Sequence, residues 1–231
     1  MTEANNPRDE PIIVSKRRAV IRAVRGEFVF AAVLSLYAAL ALLAHFSAYF
    51  ELDIEIEHKV QGVQFPGFRT AMESVSILGN GWVPVALVLV TATLMLIARL
   101  RIEGAVCLLG VAMGAGVNRF FKALIGRPRP SHPLVLVLHN VAHESFPSGH
   151  VVFFVEFFGF LFFLSYVLLR TGALRRVSLV TMGGLIGVIG VSRVYLGAHW
   201  PSDVLGAYLA GGLWLMLMIE SYRRLKAKQE G

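Results

Sequence analysis

The sequence contains a single cysteine, Cys107, in 231 residues. One cysteine excludes an intrachain disulfide, so cysteine usage does not indicate a redox compartment. Cys107 lies inside an apolar run, and we interpret it as a small buried apolar residue rather than a reactive thiol. The sequence also lacks an internal repeat, a low-complexity segment and a second domain, which predicts one membrane-embedded unit with short flanks.

Charged residues are scarce as well, at 16% of the chain, whereas a soluble domain carries about 25%. The hydrophobic fraction is 56% and the mean hydropathy is +0.65. This composition argues against a soluble domain and indicates an integral membrane protein. The formal net charge of +7 does not predict a nucleic-acid partner, because the basic residues flank the apolar runs instead of forming one block. No obligate protein partner is evident.

Six apolar runs are long enough to cross a bilayer, at about 17–25 residues per span. The predicted spans are 28–50, 82–99, 103–121, 149–169, 177–193 and 203–220. The third and fifth are rich in glycine, and small residues let membrane helices approach closely, so we expect these two at the centre of the bundle. The predicted fold class is an all-α, polytopic membrane helix bundle with six transmembrane helices.

The chain divides into a basic cytoplasmic leader (1–27), a six-helix membrane domain (28–220) and a basic cytoplasmic tail (221–231). We expect no cleavable signal, because the leader is polar and the first apolar run is too long for a signal peptide. The cations at the span ends follow the positive-inside rule if both termini are cytoplasmic. We therefore predict a bacterial inner-membrane protein with an acidic outer loop beginning at 51–57.

One outer loop, 122–147, departs from this charge rule because it carries Lys122, Arg127 and Arg129. A local exception of this kind is typical of a functional site. With the predicted orientation, three polar stretches lie at the outer ends of four spans. These stretches are Lys122–Pro130, Pro147–His150 and Ser192–Asp203.

The cations in these stretches suit phosphoryl transfer, which leaves negative charge on oxygens that fixed donors must hold. Arg129 and Arg193 are the candidates for binding two oxygens at once, and Lys122 for acting as a point charge. At the second stretch Ser148 is expected to cap a helix, and Gly149 to let the backbone approach an anion at the helix N-terminus. An ordinary capped helix start remains the alternative for this stretch alone.

His199 and Asp203 are four residues apart, about one helical turn. Asp203 is therefore predicted to accept a hydrogen bond from one ring nitrogen of His199 and to leave the other nitrogen as a nucleophile. Pro201 fits the first turn of the helix that follows. His150 is predicted to protonate the leaving oxygen and then to activate water. A capping aspartate beside an interfacial histidine is the alternative.

We predict no metal and no cofactor, because the cations can neutralise the phosphate and no carboxylate cluster at the outer face would hold two metal ions. His132, His139 and His143 lie in the outer loop. The spacing of the last two is that of metal ligands, but loop histidines are usually solvated.

The three stretches together resemble the signature of the type-2 phosphatidic acid phosphatase superfamily. That signature is Lys, six residues, Arg-Pro; then Pro-Ser-Gly-His; then Ser-Arg, five residues, His, three residues, Asp. This chain carries every position: Lys122 with Arg129-Pro130, Pro147–His150, and Ser192-Arg193 with His199 and Asp203. The spacing selects Arg129 over Arg127, which is left as a secondary anion-binding candidate.

The resemblance implies an integral-membrane lipid phosphatase that acts at the outer face on a lipid phosphate or diphosphate. It makes His199 the nucleophile, Asp203 the residue that orients it and His150 the acid. It assigns phosphate binding to Lys122, Arg129, Ser148, Gly149 and Arg193. Candidate substrates are undecaprenyl diphosphate, phosphatidylglycerophosphate, phosphatidate and a lipid A phosphate.

Three other functions stay open at this stage. A phosphotransferase would pass the same phosphohistidine to a lipid hydroxyl. A vanadium haloperoxidase shares the pocket, but members of that class are typically soluble. A transporter or scaffold could keep the pocket without turnover, although none of His150, His199 and Asp203 is missing.

Two features are left without a firm role. Glu156 lies two turns after His150 in the fourth predicted span, where an ionisable group is costly and is a candidate for function. Asn118 and Arg119 are its candidate partners, and a structural pair is the preferred interpretation. The helical spacing within 68–75 predicts a short amphipathic helix, either an ordinary surface helix or one that edges an opening for lipid.

Overall fold

The computed structural model describes residues 12–138 and 143–230, and the side chains of 26–138 and 143–229. Over these residues the chain forms helices and no strands, which confirms the all-α prediction. The helices are α1 (Ile12–Phe46), α2 (Glu51–Gln61), α3 (Phe68–Ile77), α4 (Val83–Ile97), α5 (Arg101–Ile125), α6 (Gly149–Leu168), α7 (Ala173–Tyr195) and α8 (Pro201–Glu230).

Five of these helices, α1, α5, α6, α7 and α8, are long and apolar enough to cross a membrane. The remaining predicted span, 82–99, corresponds to α4, which has 15 residues and is about 22 Å long. A hydrocarbon core is about 30 Å thick, so α4 alone falls short of the usual length. The first and last helices extend beyond the predicted runs, because α1 begins at Ile12 and α8 continues to Glu230.

The fourth span, not the third and fifth, is the most enclosed helix of the bundle. α6 packs against α5, α7 and α8, and residues such as Phe154 and Phe160 are fully buried. A helix that is apolar on all sides is expected in such a position. The glycines of α7 differ among themselves, because Gly190 packs closely against Tyr208 of α8 whereas Gly184 and Gly187 face open space, so glycine content did not identify the most enclosed helix.

The short helices α2 and α3 lie in the first predicted outer loop. α3 packs against α7 and buries Met72 and Ser76. The Ser192 hydroxyl donates to the Met72 carbonyl over 2.7 Å, which links the start of α3 to the end of α7. α3 is therefore held against the bundle by one face and by hydrogen bonds.

The three polar stretches meet at one end of the bundle, which we call the motif end. α5 and α7 end there, at Ile125 and Tyr195, and α6 and α8 begin there. The Ser148 N–H donates to the Asp203 carbonyl over 3.3 Å, which joins the starts of α6 and α8. The four helix ends thus form one layer, as the sequence predicts.

Candidate active site

A cavity of about 430 Å³ opens at the motif end. Six of the eight predicted site residues line it: Lys122, Arg129, Gly149, His150, Arg193 and His199. The other two, Ser148 and Asp203, are fully buried at the N-termini of α6 and α8. The fold therefore brings the three motifs to one place.

Three cations face this cavity without a carboxylate partner in the described part of the chain. Lys122 Nζ donates to the Glu144 carbonyl over 2.7 Å, and Arg129 Nη1 donates to the Ala198 carbonyl over 2.5 Å. Arg193 Nη1 donates to Ser76 Oγ over 2.5 Å. Because these partners are neutral, the positive charge of all three groups is available to an anion.

Two buried donors beside the cavity have no hydrogen-bond partner among the described residues. They are the Ser148 hydroxyl and Arg193 Nε. The predicted capping role of Ser148 is wrong, because its side chain makes no capping hydrogen bond to α6. Unpaired buried donors are costly, and the oxygens of a bound phosphate would satisfy both. The N-terminal N–H groups of α6 add to the same anion site.

His199 has its Nε2 atom in the cavity. Arg129 Nη1 lies 3.1 Å from Nε2, and a guanidinium can only donate, so Nε2 carries a lone pair in this arrangement. The proton is then on Nδ1, which faces Asp203. Gly197, with φ of +63°, turns the chain just before His199, and a side chain there would collide with the Leu136 carbonyl. The site thus holds a lone pair next to three cations.

The predicted hydrogen bond between His199 and Asp203 is not formed directly. His199 Nδ1 lies 3.7 Å from Asp203 Oδ2, which is too long, and Ser145 stands between them. The Ser145 hydroxyl donates to Asp203 Oδ2, and its oxygen lies 3.4 Å from His199 Nδ1. Ser145 was not predicted as a site residue, although it lies only two residues before the Pro147–His150 motif.

Burial and the surrounding cations change the proton affinity of the groups in the cavity. Burial lowers the pKa of His199 well below its usual value, and the charges of Arg129, Lys122 and Arg193 lower it further. Burial also lowers the pKa of the Arg129 guanidinium, although Asp203 and Glu144 oppose this effect. His199 is therefore a neutral imidazole near neutral pH, the form that a nucleophile requires.

Arg127 lies behind His199 and outside the cavity. Its Nη1 donates to Asp203 Oδ1 over 2.6 Å and its Nη2 donates to Asp53 Oδ2 over 2.9 Å. Ser202 Oγ lies 2.7 Å from Asp53 Oδ2, so α2 and α8 share the same network. The side chains of Arg127, Asp53 and Asp203 are all buried. Arg127 thus fixes Asp203 and does not line the cavity, whereas Arg129 does.

Asp53 was missed as a site residue, because the acidic residues at 51–57 were interpreted only as a sign of orientation. Asn80 was missed as well. His150 Nε2 lies 2.7 Å from Asn80 Oδ1, so the loop between α3 and α4 holds the predicted acid. An asparagine in a Gly-Asn-Gly loop carries no sequence signal that distinguishes it from a turn residue.

The loop histidines are only partly described. His132 is exposed, and the His143 carbonyl accepts a hydrogen bond from Arg129 Nε over 2.5 Å. His139, the other member of the pair with ligand-like spacing, lies outside the described residues. Among the residues that the structure describes, no group of three or more His, Cys, Asp or Glu side chains could hold a metal ion.

The geometry defines a membrane-embedded site for a phosphate-like anion beside a neutral histidine. The family model of the PAP2 superfamily matches residues 103–227, which contain all three motifs. The chain belongs to the PAP2 superfamily. This match confirms the resemblance inferred from the motifs and the prediction of a hydrolase.

Two curated relatives illustrate the similarity. The putative undecaprenyl-diphosphatase YbjG of Escherichia coli is 39% identical over 98 residues, which are 39% of this chain and 45% of that protein. Phosphatidylglycerophosphatase B of Bacillus subtilis is 28% identical over 181 residues, 78% of this chain and 87% of that protein. The matched region therefore spans less than half of the E. coli relative and most of the B. subtilis relative.

Two solved structures share the fold. The PAP2-type phosphatidylglycerolphosphate phosphatase from Bacillus subtilis has a TM-score of 0.72 and 25% identity, covering 83% of this chain and 94% of that chain. LpxE of Aquifex aeolicus has a TM-score of 0.58 and 22% identity, covering 74% and 96%. Both likenesses agree with an integral membrane helix bundle.

Proposed function

We propose that this chain hydrolyses the phosphate or diphosphate group of a membrane lipid at the outer face of the membrane, through a phosphohistidine on His199. The observation that carries the proposal is the placement of His199 in one cavity with Lys122, Arg129 and Arg193, where Arg129 Nη1 lies 3.1 Å from His199 Nε2. Two unpaired buried donors, Arg193 Nε and the Ser148 hydroxyl beside the cavity, add to these charges, and the three oxygens of one phosphoryl group would accept from them.

The reaction has two steps. His199 Nε2 attacks phosphorus, the bond to the leaving oxygen breaks, and His150 gives that oxygen a proton. Water then attacks the phosphohistidine, His150 takes a proton from this water, and inorganic phosphate leaves with His199 restored. The Asn80 contact fixes the ring of His150 through Nε2, which leaves Nδ1 as the nitrogen that gives and takes the proton in both steps.

No step in this reaction requires a metal ion, because the charge that develops on the phosphoryl oxygens faces the cations of the protein. Activity is therefore expected to persist in EDTA at the level seen without it. A strict requirement for an added divalent cation would contradict the mechanism. The measurement is phosphate release in matched assays with and without the chelator.

The names of relatives indicate the substrate class. Besides the two above, curated relatives include the lipid A 1-phosphatase of Rhizobium etli, 31% identical over 130 residues, which are 52% of this chain and 51% of that protein. We propose the same range of substrates for this chain: undecaprenyl diphosphate, phosphatidylglycerophosphate, phosphatidate or a lipid A phosphate. Purified protein in detergent, tested on each lipid against His199→Ala, identifies those that release phosphate.

The main alternative is a lipid phosphotransferase. It would use the same phosphohistidine, with a lipid hydroxyl as acceptor in the second step. Product analysis separates the two functions, because hydrolysis yields free phosphate and transfer yields a phosphorylated lipid. Free phosphate in the absence of any lipid acceptor would establish hydrolysis.

We also propose six spans with both termini in the cytoplasm of a bacterial inner membrane. Asn80 lies at the motif end and α5 begins at Arg101, so α4 carries the chain between the two ends and serves as the sixth span. α1 and α8 then place both termini opposite the motif end. The positive-inside rule supports a cytoplasmic location for these termini.

Cysteine labelling tests this orientation. In a Cys107→Ala background, Lys59→Cys at the motif end should react with a membrane-impermeant maleimide in intact cells. Arg224→Cys should react only after the membrane is permeabilised. The opposite pattern would reverse the proposed topology. Both side chains are largely exposed, which makes them a matched pair.

A further inference from the structure

Three polar side chains inside the membrane-spanning helices have no partner in the described part of the chain. Tyr37 Oη and Asn118 Nδ2 are buried and make no hydrogen bond there. The Glu156 carboxyl forms no hydrogen bond or ion pair with any described residue, including the expected partners Asn118 and Arg119. These side chains are only 5%, 7% and 2% exposed, respectively. Polar groups left unpaired at this depth point to a ligand.

All three groups line cavities that neighbour one another and share wall residues. The α5–α6 cavity, of about 270 Å³, has Asn118 and Glu156 in its wall together with Lys122 and Gly149. A smaller cavity of about 170 Å³ also has Asn118 and Glu156 in its wall, and adds Tyr37. Lys122 and Gly149 in turn line the active-site cavity. The shared lining residues therefore place the α5–α6 cavity between the phosphate site and the smaller, apolar cavity.

The Glu156 carboxyl occupies space that is free because Gly114 of α5 has no side chain. A Cβ atom at Gly114 would collide with both carboxyl oxygens. The rest of the smaller cavity is apolar, with side chains such as Val117 and Leu213 in its wall. Asn118 and Glu156 thus lie in the wall that the two cavities share, and Tyr37 lies farther into the apolar one.

The depth of these groups can be read along the helices. Asn118 precedes Lys122 by four residues of α5, which is about 6 Å. Glu156 follows His150 by six residues of α6, which is about 9 Å. A lipid bound with its phosphate at Lys122 and its tail in the α5–α6 cavity would therefore have its first few atoms below phosphorus beside Asn118 and Glu156.

The chemistry at this depth differs between lipid classes. In a diacylglycerol phosphate the nearer ester carbonyl is about five bonds from phosphorus, which spans on the order of 6 Å at about 1.5 Å per bond. The amide carbonyl of an acylated amino sugar 1-phosphate lies at a similar distance. A prenyl phosphate or diphosphate presents only hydrocarbon there. An unpaired amide donor such as Asn118 Nδ2 matches a carbonyl and has no partner on a prenyl chain.

We propose that Asn118, together with Tyr37 and Glu156, binds the ester or amide carbonyl groups of an acylated lipid phosphate and so makes this enzyme prefer acyl lipids over prenyl lipids. The inference rests on the proposed function and specifies its substrate class. Asn118 Nδ2 donates to the carbonyl nearest the phosphate. The Tyr37 hydroxyl donates to the carbonyl that lies farther from the phosphate. The Glu156 carboxyl contributes in its protonated form, which donates its O–H to a carbonyl oxygen.

The test compares lipids that differ only in the carbonyl groups. A diacyl phosphatidate and its dialkyl ether analogue of equal chain length are assayed with the purified full-length protein, beside a lipid A phosphate and a polyprenyl phosphate. The wild type should show a KM about tenfold lower for the diacyl lipid than for the diether. The diether has no carbonyl for Asn118, and one unpaired hydrogen-bond donor has about this effect on binding. The lipid A arm distinguishes an amide carbonyl from an ester.

Asn118→Leu should remove this preference by raising KM for the diacyl lipid and leaving KM for the diether unchanged. Glu156→Gln and Tyr37→Phe should reduce the difference in KM between the two lipids by less than Asn118→Leu does. Val117→Ala is the matched control, since it alters an apolar residue beside Asn118 and should affect both lipids alike. If Asn118→Leu does not fold, Tyr37→Phe still provides the comparison, because it removes one unpaired donor and keeps the ring.

Equal KM values for diacyl and diether in the wild type, or an unchanged ratio in Asn118→Leu, would overturn the inference, as would a lower KM for the polyprenyl phosphate. Equilibrium binding of the same lipids to His199→Ala repeats the test without turnover. If the wild type hydrolyses no lipid, the proposed function fails, and the binding ratio still decides the role of Asn118. The two failures are therefore distinguishable.

Discussion

The three motifs and the outer α2–α3 segment, residues 51–81, make different contributions to the same site. The motifs supply the groups that face the cavity, such as Arg129 and His199. The α2–α3 segment supplies partners for some of the groups behind and around the cavity: Ser76 accepts a hydrogen bond from Arg193, Asn80 contacts His150, and Asp53 binds Arg127, which in turn binds Asp203. Phosphate chemistry is thus concentrated in the motifs, while their positions depend on a segment that carries no motif.

The comparison predicts the largest loss for a motif residue that touches the substrate. His199→Ala removes the nucleophile, so kcat should fall by about a thousandfold or more while the protein still folds. Phosphate release and thermal unfolding in detergent are the measurements. Retained activity would refute the assignment of His199.

Arg127→Lys tests the group that joins the two regions. Lysine keeps the charge but cannot bridge Asp53 and Asp203 with the same fork, so we expect kcat to fall about 10- to 100-fold with little change in KM. The variant should also unfold at a lower temperature. A buried charge without a matched partner lowers the free energy of unfolding by up to about 3–5 kcal/mol.

Arg69→Lys is the matched control for Arg127→Lys, because Arg69 forms an exposed ion pair with Glu73 at 2.9 Å in the same outer segment. Exposed pairs contribute about 0–1 kcal/mol, so neither kcat nor the unfolding temperature should change measurably. If Arg127→Lys resembled this control, the network from Asp53 to Asp203 would have no role in positioning His199.

The prediction for Ser76 separates binding from chemistry. Ser76→Ala removes the acceptor that orients Arg193, so the phosphate should bind less well and KM should rise about three- to tenfold, with kcat nearly unchanged. Ser74→Ala is the control, since Ser74 is exposed on the same helix and its hydroxyl donates only to the Thr70 carbonyl. A change in kcat alone would contradict the binding role.

Sequence alone predicted the helical membrane fold and the residues around the cavity, because long apolar runs and spaced motifs are local signals. It did not predict that Ser76 holds Arg193 or that Asp53 holds Arg127, since these partners are 117 and 74 residues apart. Such pairs arise only when helices pack. The enclosed position of α6 was missed for the same reason, because glycine content does not show which face meets a neighbour.

The smallest expected effect concerns stability and arises within α2. Glu57 is fully buried, and burial together with the charges of Asp53 and Asp203 raises its pKa to about 9. Between its ordinary value of 4.5 and about 9, the native protein holds a proton that the unfolded chain has released. The stability contributed by this proton is complete below the ordinary value and is lost as the pH rises through 9.

Glu57→Gln removes this titration and keeps the shape of the side chain. The unfolding temperature of the wild type should therefore fall more steeply between pH 6 and about 9 than that of the variant, by a few degrees. Glu55→Gln serves as the control, because Glu55 is exposed and paired with Lys59. If the unfolding temperatures of the wild type and Glu57→Gln changed with pH in the same way, Glu57 would contribute nothing to the pH dependence of stability. Steeper loss in the wild type would show that the α2–α3 segment limits stability at high pH, although the nucleophile that it supports remains neutral there.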